Sequence, residues 1–186
     1  MTIDDHQIIS DYEQYNSLGL NLEIEHRYET AMDMYSKAYP LGLQLSKAHP
    51  IQYGRSFAAM CYCYGMLLTQ HGDTELATEV FNNAILSLNS IPDNHRHVSD
   101  NDGIALLFYY LAKIKMAKGE YEESERLYWK AYDILDQEKD VKPCLADVCY
   151  DFAHLLSYQR GQTAMQLAKH LRQKADRIDS TNDCLQ

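Results

Sequence analysis

The stretch Gly72–Ala84, GDTELATEVFNNA, contains the pattern that decides the fold of this 186-residue chain. A glycine and an aspartate open it, and Ala77 is followed by an aromatic residue four positions later and an alanine three positions after that. Intervals of four and three place these three side chains on one face of a helix. The glycine ends the preceding helix, and Asp73 is placed to cap the next one. The stretch therefore predicts a turn followed by a closely packed helix.

The same pattern occurs three times along the chain. Small residues at Gly19, Gly65 and Ala112 lie 46 and 47 residues apart, and each is followed twelve positions later by a second small residue. That residue opens the sets Ala31, Tyr35 and Ala38; Ala77, Phe81 and Ala84; and Ser124, Tyr128 and Ala131. Small side chains allow two antiparallel helices to approach closely, and the aromatic ring fills the wedge between hairpins. The sequence predicts three such hairpins and a degenerate fourth one that breaks at Gly161.

The spacing predicts helices near residues 5–25, 28–48, 50–71, 73–90, 102–118, 120–138, 143–160 and 162–178. The polar segment 91–101, IPDNHRHVSDN, is predicted to be a mobile surface loop.

These motifs resemble the tetratricopeptide repeat family. The likeness lies in Tyr15–Leu22, which reads Y-x-x-L-G-x-x-L, in Gly72–Ala84, and in Gly119–Ala131, GEYEESERLYWKA. The period near 46 exceeds the usual 34. It is similar to the long repeats of kinesin light chains, which open with His-Pro, as His49-Pro50 does here. The resemblance implies an all-α, right-handed superhelix of about four antiparallel hairpins. No Ser/Gly-rich linker divides the chain, so we predict a single domain over residues 1–179, followed by a flexible tail over 180–186.

Charge and hydropathy exclude several classes of partner. The formal net charge of −10 opposes binding to nucleic acid, whose affinity depends on Lys and Arg neutralising phosphates. The same sign disfavours anionic membrane surfaces, and the sequence has no apolar run of the roughly 20 residues that a membrane span requires. We expect a soluble, cytoplasmic protein. The five cysteines, Cys61, Cys63, Cys144, Cys149 and Cys184, are expected to be reduced thiols there.

No catalytic, metal-binding or cofactor-binding motif stands out. The sequence has no phosphate-binding glycine loop, nucleophile elbow or His-Glu-x-x-His motif. His95 and His97 with nearby aspartates match no metal-ligand spacing, and capping by Asp100 or Asp102 accounts for the acids. We therefore predict that the chain is not an enzyme and uses no cofactor.

The predicted binding surface lies on the first helix of each hairpin, because the resemblance implies that these helices line a concave groove. The helical register places seven candidates there: Asn16, Leu20, Tyr62, Met66, Tyr109, Lys113 and Met116. Most of the fifteen tyrosines are as well explained by packing as by recognition. The groove positions that hold a terminal carboxylate in some family members are not basic here.

The predicted function is a protein–protein interaction module, an adaptor or regulator that binds a peptide or helix of a partner protein in the groove. Two alternatives stay open. One is a small acidic chaperone for a secreted client protein. The other is a self-assembling structural protein, because the chain carries six acids and no Lys or Arg before Arg27 and four bases in its last predicted helix. A homo-oligomer is possible on that ground.

Overall fold

The structure, a computed structural model, describes residues 3–137, 143–158 and 161–183, and over these residues the chain is helical and contains no strand. The elements are α1 (Ile3–Ile24), α2 (Tyr28–Ala48), α3 (Pro50–His71), α4 (Thr74–Asn89), a 3-10 turn (Asp93–His95), α5 (Val98–Ala117), α6 (Tyr121–Asp136), α7 (Pro143–Ser157) and α8 (Gln162–Asp183). The predicted all-α fold of helical hairpins is confirmed. Helix α8 continues into the predicted tail, whose residues 184–186, with Cys184, lie outside the described residues.

The chain divides into two compact units, Met1–Asp100 and Asn101–Gln186. In the first unit α1 packs on α2, α2 on α3, and α3 on α4. In the second, α6 packs on α7 and α7 on α8, while α5 is joined to α6 by a hydrogen bond from Ser124 Oγ to the Ala112 carbonyl oxygen (2.8 Å). The prediction of one domain over residues 1–179 stays a prediction.

The small residues lie where the two helices of a hairpin approach each other most closely. A Cβ atom added to Gly19 would lie 2.6 Å from Tyr35 Cε1, and one added to Gly65 would lie 2.3 Å from Phe81 Cε1. Both distances are shorter than two carbon atoms tolerate, so each aromatic ring rests directly on the facing glycine backbone. All members of the three repeated sets are buried: Ala31, Tyr35 and Ala38; Ala77, Phe81 and Ala84; Ser124, Tyr128 and Ala131. The repeat pattern is thus the packing pattern.

Each of the first three hairpins turns through one residue in the left-handed conformation. Gly72 and Gly119 have φ of +92° and +76°, and the corresponding residue of the first hairpin is His26, with φ of +59°. The amide of the residue after each, as in Asp73 N to Leu68 O (2.9 Å), closes the helix end in the same way. Glycine adopts this conformation without steric cost. The predicted cap is present as well, because Asp73 Oδ1 accepts a hydrogen bond from Leu76 N (3.3 Å).

The segment predicted to be a mobile loop is shorter and better anchored than expected. Helix α5 begins at Val98, four residues before its predicted start, and Ile91 is buried. Asp100 Oδ2 accepts a hydrogen bond from the His97 amide (2.8 Å), so Asp100 caps the first turn of α5 as predicted. Arg55 of α3 donates to the carbonyl oxygen of His95 (2.5 Å). This segment is therefore fixed from two sides.

Candidate partner-binding site

A cleft of about 440 Å³ opens between α1 and α3 in the first unit. The residues that line it are Tyr12, Glu13, Asn16, Ser17 and Leu20 of α1 and Gln52, Tyr53 and Ser56 of α3. Both helices are the first of their hairpins, which is where the binding surface was predicted. Two of the predicted residues, Asn16 and Leu20, lie in this cleft.

The floor of the cleft is held in place by buried tyrosines. Tyr12 is 1% exposed, and its hydroxyl is 2.9 Å from Ser56 Oγ, so a polar contact joins α1 to α3. The ring of Tyr53 meets that of Tyr12 edge to face, with centroids 6.3 Å apart. Burial raises the pKa of Tyr12 to about 12, so this hydroxyl stays protonated and able to donate. The floor therefore consists of two buried aromatic rings that are joined to each other and, through Tyr12, to Ser56.

The walls of the cleft carry groups that suit a peptide. Asn16 and Gln52 have amides that donate and accept, Ser17 adds a hydroxyl, and Leu20 exposes 48% of its surface. Glu13 is the one charged residue among those lining the cleft. A peptide backbone needs paired donors and acceptors, and an apolar side chain needs a surface such as that of Leu20. The lining of the cleft contains both kinds of group.

One turn further along α1, Glu23 joins three helices. Its Oε2 accepts a hydrogen bond from the Tyr35 hydroxyl of α2 (2.8 Å), and it lies close enough to Cys63 of α3 to affect its titration. Burial first, and then the negative charge of Glu23, raises the pKa of the Cys63 thiol to about 11. The thiol is therefore neutral at neutral pH and a poor nucleophile.

In the second unit, α5 and α7 are joined by a charged cluster. Tyr109 donates a hydrogen bond to Asp151 Oδ2 (2.7 Å), and Lys113 Nζ lies 3.1 Å from the same oxygen. Lys113 also sits 5.0 Å above the centroid of the Tyr109 ring. Burial and the hydrogen bond to Asp151 both raise the pKa of Tyr109. The cluster brings two predicted residues, Tyr109 and Lys113, together on one carboxylate.

The seven predicted residues differ in what they can offer a partner. Leu20 and Lys113 are exposed, whereas Asn16, Tyr62, Met66 and Met116 are half-buried. Tyr109 is only 7% exposed, so its ring serves packing and its hydroxyl serves Asp151. Whether these residues bind a partner stays a prediction.

The α3 side of the cleft was not among the residues predicted from the sequence. Gln52 and Ser56 are four residues apart on one helix face, just before the uncharged run 57–68. These two polar residues on one helix face, next to Tyr53, were the feature of the sequence that could have indicated this side of the cleft. That α1 would lie against it depends on the packing of two hairpins, which no local pattern contains.

The described residues also limit other kinds of site. Over residues 3–137, 143–158 and 161–183, no group of three or more His, Cys, Asp or Glu side chains could hold a metal ion. None of the helices in that part of the chain is both long and apolar enough to cross a membrane.

Comparison with known proteins gives no match to a family model and none to a curated protein. Solved structures do match. The crystal structure of MamA has a TM-score of 0.65 and 16% identity, covering 92% of this chain and 80% of that one. BtubC (BKLC) from P. vanneervenii has a TM-score of 0.70 and 15% identity, covering 92% of this chain and 64% of BtubC.

A third match carries the repeat in its description. It is a kinesin light chain-like protein of P. anserina with nearly identical TPR-like repeats, with a TM-score of 0.58 and 13% identity, covering 98% of this chain and 91% of that one. The fold is tetratricopeptide-like. A tetratricopeptide-like fold with a period near 46 confirms the resemblance seen in the sequence, including the likeness to the kinesin light chain repeats. At these identities the comparisons establish the fold and nothing about a partner.

Proposed function

We propose that the chain is an adaptor or regulatory module that binds a segment of a partner protein in the cleft between α1 and α3. A tetratricopeptide-like fold suggests a protein–protein interaction module. The cleft is the observation on which the proposed location of the binding site depends. Buried tyrosines form its floor, amide and hydroxyl groups line its walls, and Leu20 is exposed in it. The function requires no catalysis and no cofactor.

The lining of the cleft indicates the kind of segment that fits. Asn16 and Gln52 can pair with peptide amides, and Leu20 can cover one apolar side chain. Glu13 is the one formal charge in the lining, so a segment with Lys or Arg near its apolar anchor is favoured over an acidic one. A segment of this chemistry buries the exposed part of Leu20 without leaving a charge unpaired.

The proposed location is the cytoplasm. The described cysteines, Cys61, Cys63, Cys144 and Cys149, are not in disulfide bonds, which is consistent with a reducing compartment. The chaperone alternative stays a prediction.

The experiment is selection of binding peptides from a displayed random library, followed by affinity measurement with the purified peptides. Leu20→Arg removes the apolar wall and places a cation in the cleft, and we expect affinity to fall about tenfold or more, the range of a single buried interface contact. Leu86→Arg is the matched control, because Leu86 is an exposed leucine of α4 outside the cleft. Selected peptides that bind the Leu20→Arg protein as tightly as wild type would refute the site.

A further inference from the structure

Helix α8 repeats the packing pattern with one change. Ala168, Arg172 and Ala175 keep the intervals of four and three, and the two alanines are buried as in the other hairpins. The middle position is a buried aromatic residue in α2, α4 and α6, but in α8 it is an exposed arginine. The aromatic wedge of the fourth hairpin has thus been replaced by a cation.

In the first and third hairpins this aromatic residue meets the first helix of the next hairpin. Tyr35 of α2 lies 6.1 Å from the ring of Tyr64 in α3, and Tyr128 of α6 stacks on Phe152 of α7 with centroids 5.5 Å apart. Arg172 occupies the equivalent position in α8. If the repeat continued, the first helix of a further hairpin would therefore pack on the face of α8 that contains Arg172. Within the described residues of the second unit no helix covers it.

The face at Arg172 is a basic cavity with an apolar wall. It has a volume of about 610 Å³, and its lining includes Met165, Ala168, Lys169 and Arg172. Met165 is 68% exposed. In the part of the chain that the structure describes, neither Lys169 nor Arg172 has a carboxylate within 4 Å. A helix that fills this cavity has to bring an apolar side chain and negative charge.

Helix α1 of the same protein offers apolar side chains and negative charge on one face. This face is equivalent to the face of α3 that packs on α2. The residues 46 positions before Phe57, Cys61, Tyr64 and Leu68 are Asp11, Tyr15, Leu18 and Leu22. The four in α3 are buried, whereas Leu18 is 40% exposed and the other three in α1 are half-buried. The chain carries six acids and no Lys or Arg before Arg27.

The register of α2 on α3 indicates which charges would face each other. Met32 of α2 and His71 of α3 line one groove. The equivalent positions are Lys169 in α8 and Glu25 in the turn directly after α1, which are of opposite charge. Glu25 also forms an exposed ion pair with Arg27 of its own chain (3.3 Å). The stacked pair Tyr39 and Phe57 corresponds to Asp176 in α8 and Asp11 in α1, and two negative charges at this point oppose docking. Asp176 already accepts a hydrogen bond from Tyr150 of its own chain (2.7 Å).

We propose that α8 of one copy docks against α1 of a second copy, with Lys169 facing Glu25 and Arg172 facing Leu18. The contact joins two different faces of the chain, so each copy keeps one face of each kind for a further neighbour. It uses none of the residues of the cleft between α1 and α3. Self-association and partner binding are therefore tested by separate variants.

The experiment is sedimentation velocity over a range of concentrations at low salt, with charge reversals. Glu25→Lys and Lys169→Glu should each weaken self-association about tenfold, the effect of losing one favourable pair and adding one repulsive pair. An equal mixture of the two variants restores opposite charges at every contact and should associate like wild type. Lys47→Glu, the same charge change on the exposed end of α2, is the control.

Two results would overturn the proposal. One is a wild-type chain that sediments as a monomer at every concentration, which leaves the basic face of α8 to solvent or to a foreign acidic helix. The other is a mixture of the two variants that stays as dissociated as each variant alone. Raising the salt concentration should weaken the wild-type association, since the charges are near the surface.

Discussion

Arg55 and Asp100, 45 residues apart in sequence, form a two-pronged ion pair in which Nε and Nη2 of the guanidinium each donate to a different carboxylate oxygen at 2.7 Å. The Asp100 side chain is 3% exposed and that of Arg55 32%. The same carboxylate caps the first turn of α5 through the His97 amide. One side chain of α3 therefore fixes both the 3-10 turn and the point at which α5 begins.

This pair makes stability sensitive to acid. Hydrogen bonding to Arg55 lowers the pKa of Asp100 below its ordinary value of 3.8. A lowered folded-state pKa stabilises the fold above the unfolded-state pKa, and that contribution is lost as the pH falls through the folded-state value. We expect Asp100→Asn to reduce the free energy of unfolding at neutral pH, and the difference from wild type to shrink below pH 3.8. Urea unfolding across this range measures it, and a pH-independent difference would contradict the role of the charge.

Gly65 should not tolerate a methyl group. In an exposed helix, Gly→Ala stabilises by roughly 0.5–1 kcal/mol. At Gly65 the new Cβ would lie 2.3 Å from Phe81 Cε1, so we expect Gly65→Ala to lower the free energy of unfolding by about 1–3 kcal/mol through overpacking. The double variant Gly65→Ala with Phe81→Leu should recover part of the loss, because the smaller side chain vacates the space. Denaturant unfolding of these two variants and of Phe81→Leu alone shows whether the two positions are coupled.

Replacing tyrosine by phenylalanine should change the free energy of unfolding in opposite directions at Tyr128 and at Tyr35, the aromatic residues of the third and first repeated sets. Within the described residues the Tyr128 hydroxyl is buried without a hydrogen-bond partner, whereas the Tyr35 hydroxyl donates to Glu23. Tyr128→Phe should therefore be neutral or stabilise by up to about 1 kcal/mol, because an unsatisfied buried hydroxyl costs roughly that much or more. Tyr35→Phe should destabilise by about 1 kcal/mol. Equal losses in thermal unfolding would show that Tyr128 has a partner.

Cys63 should react slowly with alkylating agents until the solution is strongly alkaline. Because its pKa is raised to about 11, the thiolate fraction grows with pH up to that value. Glu23→Gln removes the negative charge that contributes to the shift, so it should lower the pKa and speed alkylation at any pH below it. The rate is measured by mass spectrometry after timed exposure to iodoacetamide. Glu13→Gln, on the same helix, should leave it unchanged.

Much of the fold could be predicted because its determinants are local and repeated. Gly65, Ala77, Phe81 and Ala84 lie within twenty residues of one another, and their intervals follow from the helical period alone. The start of α5 could not be predicted in this way. It depends on Arg55, which is distant in sequence and reaches Asp100 only after α3 is in place.

The candidate site shows the same division. The helical register alone placed Asn16 and Leu20 on an available face of α1, and that much the sequence determined. Only the tertiary structure brought Gln52 and Ser56 opposite them, and only it buried Tyr109 on Asp151, 42 residues away. Periodicity fixes which side of a helix a residue occupies, whereas the packing of hairpins far apart in sequence decides what that side meets.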